Sequence, residues 1–196
     1  MSVFARRRGW RSLVLLAGLA AAAPSLAAQE VPVPVRIQAP LLLRIMSFDR
    51  NLPQRISGDL VVAVLYQGRN RTSLRIAEEI SLAIGSLTGA EAVGIDLDTT
   101  TDLAAVLAQS KARVLYVCPL RGANIAGIVD VVRAAGVTTV TGVPRYVNEG
   151  IAIGLDLRAD RPEIVVNLES ARAEGADFTA QLLKLARVVK SGTRNP

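Results

Sequence analysis

The sequence predicts an α/β fold: a mostly parallel sheet in βαβαβαβ order flanked by helices, with an added antiparallel hairpin and a C-terminal docking helix. Three observations predict it. Runs of strand length recur at residues 59–66, 90–97, 113–119 and 137–143, the first and third of them apolar throughout their strand cores. Segments of helical period separate them. After the fourth run the pattern changes to alternation, with apolar residues at 151, 153, 155 and 157 and small or polar residues between. Continuous apolar runs suit strands covered on both faces. Helices between them enforce parallel pairing, and alternation marks a strand with one open face.

The chain opens with Arg6, Arg7, Arg8 and Arg11, an apolar run over 13–23, then Pro24 and the small residues "SLAAQ". That is the build of a cleavable signal peptide over 1–27, with cleavage expected after Ala27 and Ala28 as second choice. The run is shorter than the roughly 20 apolar residues of a spanning helix, so no membrane insertion is expected after cleavage. Residues 28–36 follow as an extended segment, 37–190 as a single domain, and 191–196 as a disordered tail. The leader holds four of the 23 basic residues and none of the 17 acidic ones, which leaves 19 against 17, a net +2. Such a balance gives no reason to expect nucleic acid as a partner.

Within the domain, Leu41, Leu42, Ile45, Met46 and Phe48 predict a helix over 40–48, with Pro40 in its first turn. The strand over 59–66 leads through "QGRNRTS" to a helix over 74–87, capped by Ser73 or Thr72. "DTTTD" caps a helix over 103–110. A further helix ends at Gly136. "RADRP" turns the hairpin between 151–157 and 163–168. The closing helix is expected over 174–189, with Phe178, Leu182, Leu185, Ala186 and Val189 on its apolar face and Asp177 as cap.

Chemistry is scarce. The absence of His removes Ser-His and Cys-His nucleophile systems and imidazole metal sites. The single Cys118 allows no internal disulfide. It reads as a buried small hydrophobe, with a disulfide between two copies as the alternative. No phosphate loop, dinucleotide fingerprint or nucleophile elbow is present. Asp96, Asp98 and Asp102 read as loop and cap residues, and no metal or cofactor is expected. One constellation stands out. If the first four strands are parallel, the loops after them share one edge. Gln67, Arg69, Asn70, Arg71, Arg121 and Arg145 would then form a rim for an anion or an acidic partner. The alternative is that they are solvated loop residues partly balanced by Asp98, Asp102 and Glu149.

"EIVVNLESARAEGADFTAQLLKLARVV" resembles the C-terminal signature of the YfiR/HmsC-like family. Its matching positions are Val166, Asn167, Gly175, Leu182, Leu183, Leu185 and Ala186. "GVPRYVNEGIAIGLDL" and "APLLLRIMSFDRNL" are similar to the preceding segment and opening helix of that family. The resemblance spans about 36–190. It implies a non-enzymatic periplasmic regulator that restrains a diguanylate cyclase, or another inner-membrane sensor, by binding its periplasmic part, so lowering cyclic di-GMP output and biofilm formation. A homodimer stays open. Two departures stand out. Ala112 lies near where a family cysteine is expected, and "FDRNL" replaces the usual aromatic and Pro ending of the first helix. The competing expectations are a small periplasmic binding protein for an anionic solute and, less favoured, an enzyme built on Asp96 or Asp98.

Overall fold

A computed structural model describes residues 31–189. The expected signal peptide with its cleavage site, residues 28–30 and the tail lie outside the described residues. The order is α1 (Val35–Met46), α2 (Leu52–Arg55), β1 (Leu60–Tyr66), α3 (Arg71–Gly85), β2 (Ala90–Asp96), α4 (Leu103–Ser110), β3 (Val114–Val117), α5 (Ile125–Ala135), β4 (Thr138–Thr141), α6 (Arg145–Asn148), β5 (Ile153–Arg158), β6 (Arg161–Asn167), α7 (Leu168–Ala173), α8 (Ala180–Leu185) and β7 (Arg187–Val189). Seven strands form one sheet in the order β2-β1-β3-β4-β5-β6-β7. β1 to β5 run parallel, β6 pairs antiparallel with β5, and β7 pairs parallel with β6.

Both faces of the sheet are covered, as continuous apolar strands require. Val62, Val64, Val114, Tyr116, Val140 and Ile153 point to one face, where α1, α3 and Leu182 of α8 pack. Ala63, Leu65, Leu115 and Val117 point to the other, under α4, α5 and Tyr146 of α6. The hairpin turn is the two-residue pair Ala159 and Asp160, at φ 48° and 59°, the backbone of a type I′ turn. Polar order runs through the first core as well. Tyr116 Oη donates to Gln38 Oε1 at 2.6 Å, and Gln38 Nε2 donates to Val33 O at 2.6 Å. A Cβ at Gly142 would stand 2.6–2.8 Å from these two side chains, so that position excludes any larger residue.

The structure departs from the sequence reading in four places. α1 starts at Val35, not at Pro40, because the buried stripe Val35, Ala39, Leu42, Ile45 and Met46 extends backwards. Pro40 lies inside the helix and is exposed, as is Arg36, whose carbonyl water can satisfy. Asn70, rather than Ser73 or Thr72, caps α3: its Oδ1 accepts from Thr72 N at 3.2 Å and Ser73 N at 3.5 Å, while Ser73 Oγ accepts from Gln67 N at 3.0 Å. The stretch 151–157 is not half-open. Residues 151–155 are all buried, and Gly154 is small because Val147 of α6 packs against it. Cys118 is fully buried, as expected of a small hydrophobe, and this disfavours the alternative of a disulfide between copies.

The fourth departure concerns the C-terminus. No helix spans 174–189. Gly175 takes φ +86° and breaks the chain after α7. Residues 177–179 then run beside 48–50, with Arg50 N donating to Asp177 O at 2.9 Å and Thr179 N to Phe48 O at 3.0 Å. α8 has six residues and Thr179, not Asp177, as N-cap. Beyond it, residues 187–189 leave the helix and extend the sheet. Arg187 fastens this edge: its Nε donates to Glu163 Oε2 at 2.8 Å and its Nη2 to Asp156 Oδ2 at 3.1 Å. The Arg187 hydrogen bond also holds the Glu163 carboxyl below its ordinary range.

Leu182 is 1% exposed and Leu185 is 67% exposed. Leu182→Ala is expected to cost about 2–5 kcal/mol of stability, and Leu185→Ala to stay within about 0.5 kcal/mol of the parent. Urea denaturation of both variants checks this, and equal losses would contradict the short α8.

Candidate functional site

The carboxyl ends of β1, β2 and β3 open on one edge, where their loops gather. Gln67, Arg69, Asn70, Arg71, Thr72, Asp98 and Arg121 line a cleft of about 500 Å³. The loops are shaped by internal bonds. Gln67 Nε2 donates to Arg121 O at 3.1 Å, and Gln67 Oε1 accepts from Arg121 N at 2.7 Å. This two-way bond ties the β1 loop to the β3 loop. Asp96 Oδ1 accepts from Gly68 N at 2.9 Å, and Asp98 Oδ2 accepts from Arg69 N at 2.8 Å. Tyr146 anchors the β3 loop from the far side: its hydroxyl accepts from Leu120 N at 2.8 Å and donates to Leu120 O at 3.0 Å.

Five of the six rim residues expected from the sequence meet here. Arg145 does not line the cleft; it sits on α6 with its guanidinium over the Tyr146 ring, 5.2 Å from the centroid. Thr72 is an addition, placed by its position in the first turn of α3. The Thr72 and Ser73 N–H groups of that first turn are taken by Asn70 Oδ1, so the cleft's charged donors are its guanidinium groups. Among the described residues, the Arg69, Arg71 and Arg121 guanidiniums form no ion pair. The aspartates behave as loop acceptors: Asp102 Oδ1 caps α4 through Ala105 N at 2.9 Å. No group of His, Cys, Asp and Glu suited to a metal ion occurs among the described residues.

The YfiR/HmsC-like family model matches residues 36–187. The chain belongs to the YfiR/HmsC-like family. That family is regulatory and non-enzymatic, works in the periplasm and acts in cyclic di-GMP signalling. No curated protein matches this YfiR/HmsC-like chain. Its fold is similar to three solved structures. One is the ABC domain in complex with L-Trp from Streptococcus pneumonia, at 16% identity and TM-score 0.58 over 80% of this chain and 60% of that one. Another is a conserved domain protein from Vibrio cholerae, at 16% identity and TM-score 0.60 with the same coverages. The third is the ligand-free, open form of a substrate binding protein with adhesive properties from Clostridium difficile, at 14% identity and TM-score 0.54 over 72% and 58%. The chain spans about 60% of the length of these proteins, and at such identities the likeness concerns the fold alone.

Asn167 and Gly175 of the YfiR/HmsC-like signature hold the local structure. Asn167 caps α7 by accepting from Ser170 N at 3.1 Å, and its Nδ2 donates to Val147 O at 3.1 Å. Gly175 supplies the left-handed turn. Between them lies Glu174, fully buried, which sequence reasoning missed. Its carboxylate accepts from Thr139 N and Thr139 Oγ1, both at 2.7 Å. Arg55 donates to Gly136 O at 3.1 Å and to Thr138 Oγ1 at 3.3 Å, and pairs with Asp49. Asp49 also accepts from Asn51 N at 3.0 Å and Asp177 N at 2.8 Å. The "FDRNL" departure is therefore an anchor of this edge. A weak sign in the sequence is that Glu174 ends a helix, where the dipole disfavours a carboxylate.

Burial raises the Glu174 carboxyl from 4.5 to about 7, against the Thr139 hydrogen bonds and the Arg133 and Arg55 charges, which lower it. The folded protein therefore keeps a proton that the unfolded chain releases between about pH 4.5 and 7. The stability this contributes is complete below pH 4.5 and lost as pH rises through 7, with a slope of at most about 1.4 kcal/mol per pH unit. Denaturation midpoints across that window are expected to fall with rising pH, and Glu174→Gln to flatten the profile. A parallel profile in the variant would assign the slope to another group.

Proposed function

We propose that this chain binds the periplasmic part of an inner-membrane diguanylate cyclase and restrains it, so lowering cyclic di-GMP output. The family match over 36–187 carries the reading. The sequence supports it by what it offers for chemistry: no His, one Cys and loop aspartates already engaged as acceptors. A regulator that acts by occupancy needs only a shaped surface and a stable scaffold. Export through the leader at 1–27 would place it beside such a partner, and no described helix is long and apolar enough to cross a membrane.

Paired-cysteine redox control is not open to this chain. Cys118 has no second cysteine in the sequence, and burial pushes its thiol well up from the ordinary value. A thiol held protonated is a poor nucleophile for disulfide exchange. A second reading, that the protein takes up an anionic solute, is favoured by the Arg-lined cleft.

Deleting the gene is expected to raise intracellular cyclic di-GMP, and complementation to restore it. Unchanged levels under several growth conditions, with no inner-membrane sensor recovered by pull-down, would sink the restraint reading.

A further inference from the structure

We propose that the Arg-lined cleft is a binding site for a small phosphate-bearing dianion. Its position is the first argument. β1 leads into α3 on one face of the sheet, while β3 leads into α5 on the other. The two loops part between adjacent strands. In open α/β sheets, the crevice at such a reversal is where ligands bind. Here the cleft draws on three loops: Arg69 and Arg71 follow β1, Asp98 follows β2 and Arg121 follows β3.

Preorganisation is the second argument. The loop backbones are fixed by Gln67, Asp96, Asp98 and Tyr146, whose polar atoms are used internally. The three guanidiniums are not used so. A solvated surface arginine needs no such scaffolding, whereas a binding site gains affinity from groups held in place before the ligand arrives.

The chemistry selects the ligand class. Among the lining residues, three guanidiniums against Asp98 leave an excess of +2, and the local charge stays positive at +1 when Asp96, bonded to Gly68 N beside them, is included; one Asp98 oxygen is already taken by Arg69 N. Guanidinium forks pair bidentately with phosphate oxygens, and a phosphate monoester carries close to two negative charges at neutral pH. A volume of about 500 Å³ falls within the range of about 300–1,000 Å³ for small-molecule sites, with room for an organic body beside the phosphate. The site depends on no part of the cyclase reading.

Titration of the purified protein, by calorimetry and thermal shift, tests this with inorganic phosphate and glucose 6-phosphate. Succinate, glucose and chloride at matched ionic strength are the comparison arms. Saturable binding of both phosphate compounds is expected. Arg71→Ala combined with Arg121→Ala is expected to weaken it about ten- to hundredfold. Lys184→Ala, exposed on α8 away from the cleft, is expected to leave it unchanged. The ligand-free urea midpoint of the double variant is expected to match the parent, since both arginines are exposed. Should that midpoint fall, the Lys double variant repeats the test with charge kept and the fork removed, and it too is expected to bind more weakly. No saturable binding, an equal response to chloride, or undiminished binding in the folded variants would overturn the proposal. Binding of succinate without phosphate would overturn the phosphate assignment.

Discussion

The buried Glu174 carboxylate closes a gap that the sheet leaves open. β4 and β5 pair only through Val140 with Ile153 and Thr141 with Gly154. One residue earlier, Thr139 has no strand opposite its N–H. Glu174 accepts that N–H and the Thr139 hydroxyl, and the same hydroxyl accepts from Ala152 N at 2.8 Å. A side chain from near the C-terminus thereby continues the ladder. A buried donor without a partner would cost about 1–3 kcal/mol, so this part of the sheet and the turn before α8 require each other.

This constraint divides the molecule into two unlike edges. At the amino ends of the strands, Glu174, Arg55 and Asp49 bind the segments around 49–55 and 174–177 to β4. Charges there face inward, and Asp49 and Glu174 are fully or nearly buried. At the carboxyl ends the loops are held just as firmly, but by backbone contacts from Gln67, Asp96 and Asp98. The arginine side chains are left facing outward. The first arrangement spends its polar groups on cohesion, whereas the second keeps them available.

What the sequence revealed follows the same division. Four of the five parallel strands were legible as strand-length runs between helices, wholly apolar in β1 and β3 and broken by Glu91 and Asp96 in β2 and by threonines in β4. α4 was legible to the residue, since Asp102 caps it and Lys111 ends it in the left-handed region. The rim followed from topology alone, because parallel strands deliver their loops to one edge. Arg145 escaped that logic: α6 turns it onto Tyr146, a contact between neighbours that strand order does not specify. The closing segment was misread because its apolar spacing over 178–189 suits a helix. Its outcome rests on nonlocal bonds from Phe48 and β6 that no local pattern records. Glu174 was hidden for a related reason: a glutamate before a glycine reads as a solvated turn until Thr139 is placed beside it.

The alternation over 151–157 carries a more general lesson. Small residues between apolar ones have two meanings, an open face or a close neighbour. Gly154 has the second, because α6 presses Val147 onto it, and α6 is only four residues long. That short helix also carries Tyr146, whose hydroxyl fixes the β3 loop and hence Arg121 at the cleft. One local packing demand, met by a glycine on β5, thus reaches the carboxyl edge through two side chains. The geometry of the cleft depends on the packing of the sheet beneath it. A change that loosened α6 would disturb the arginines without touching any of them.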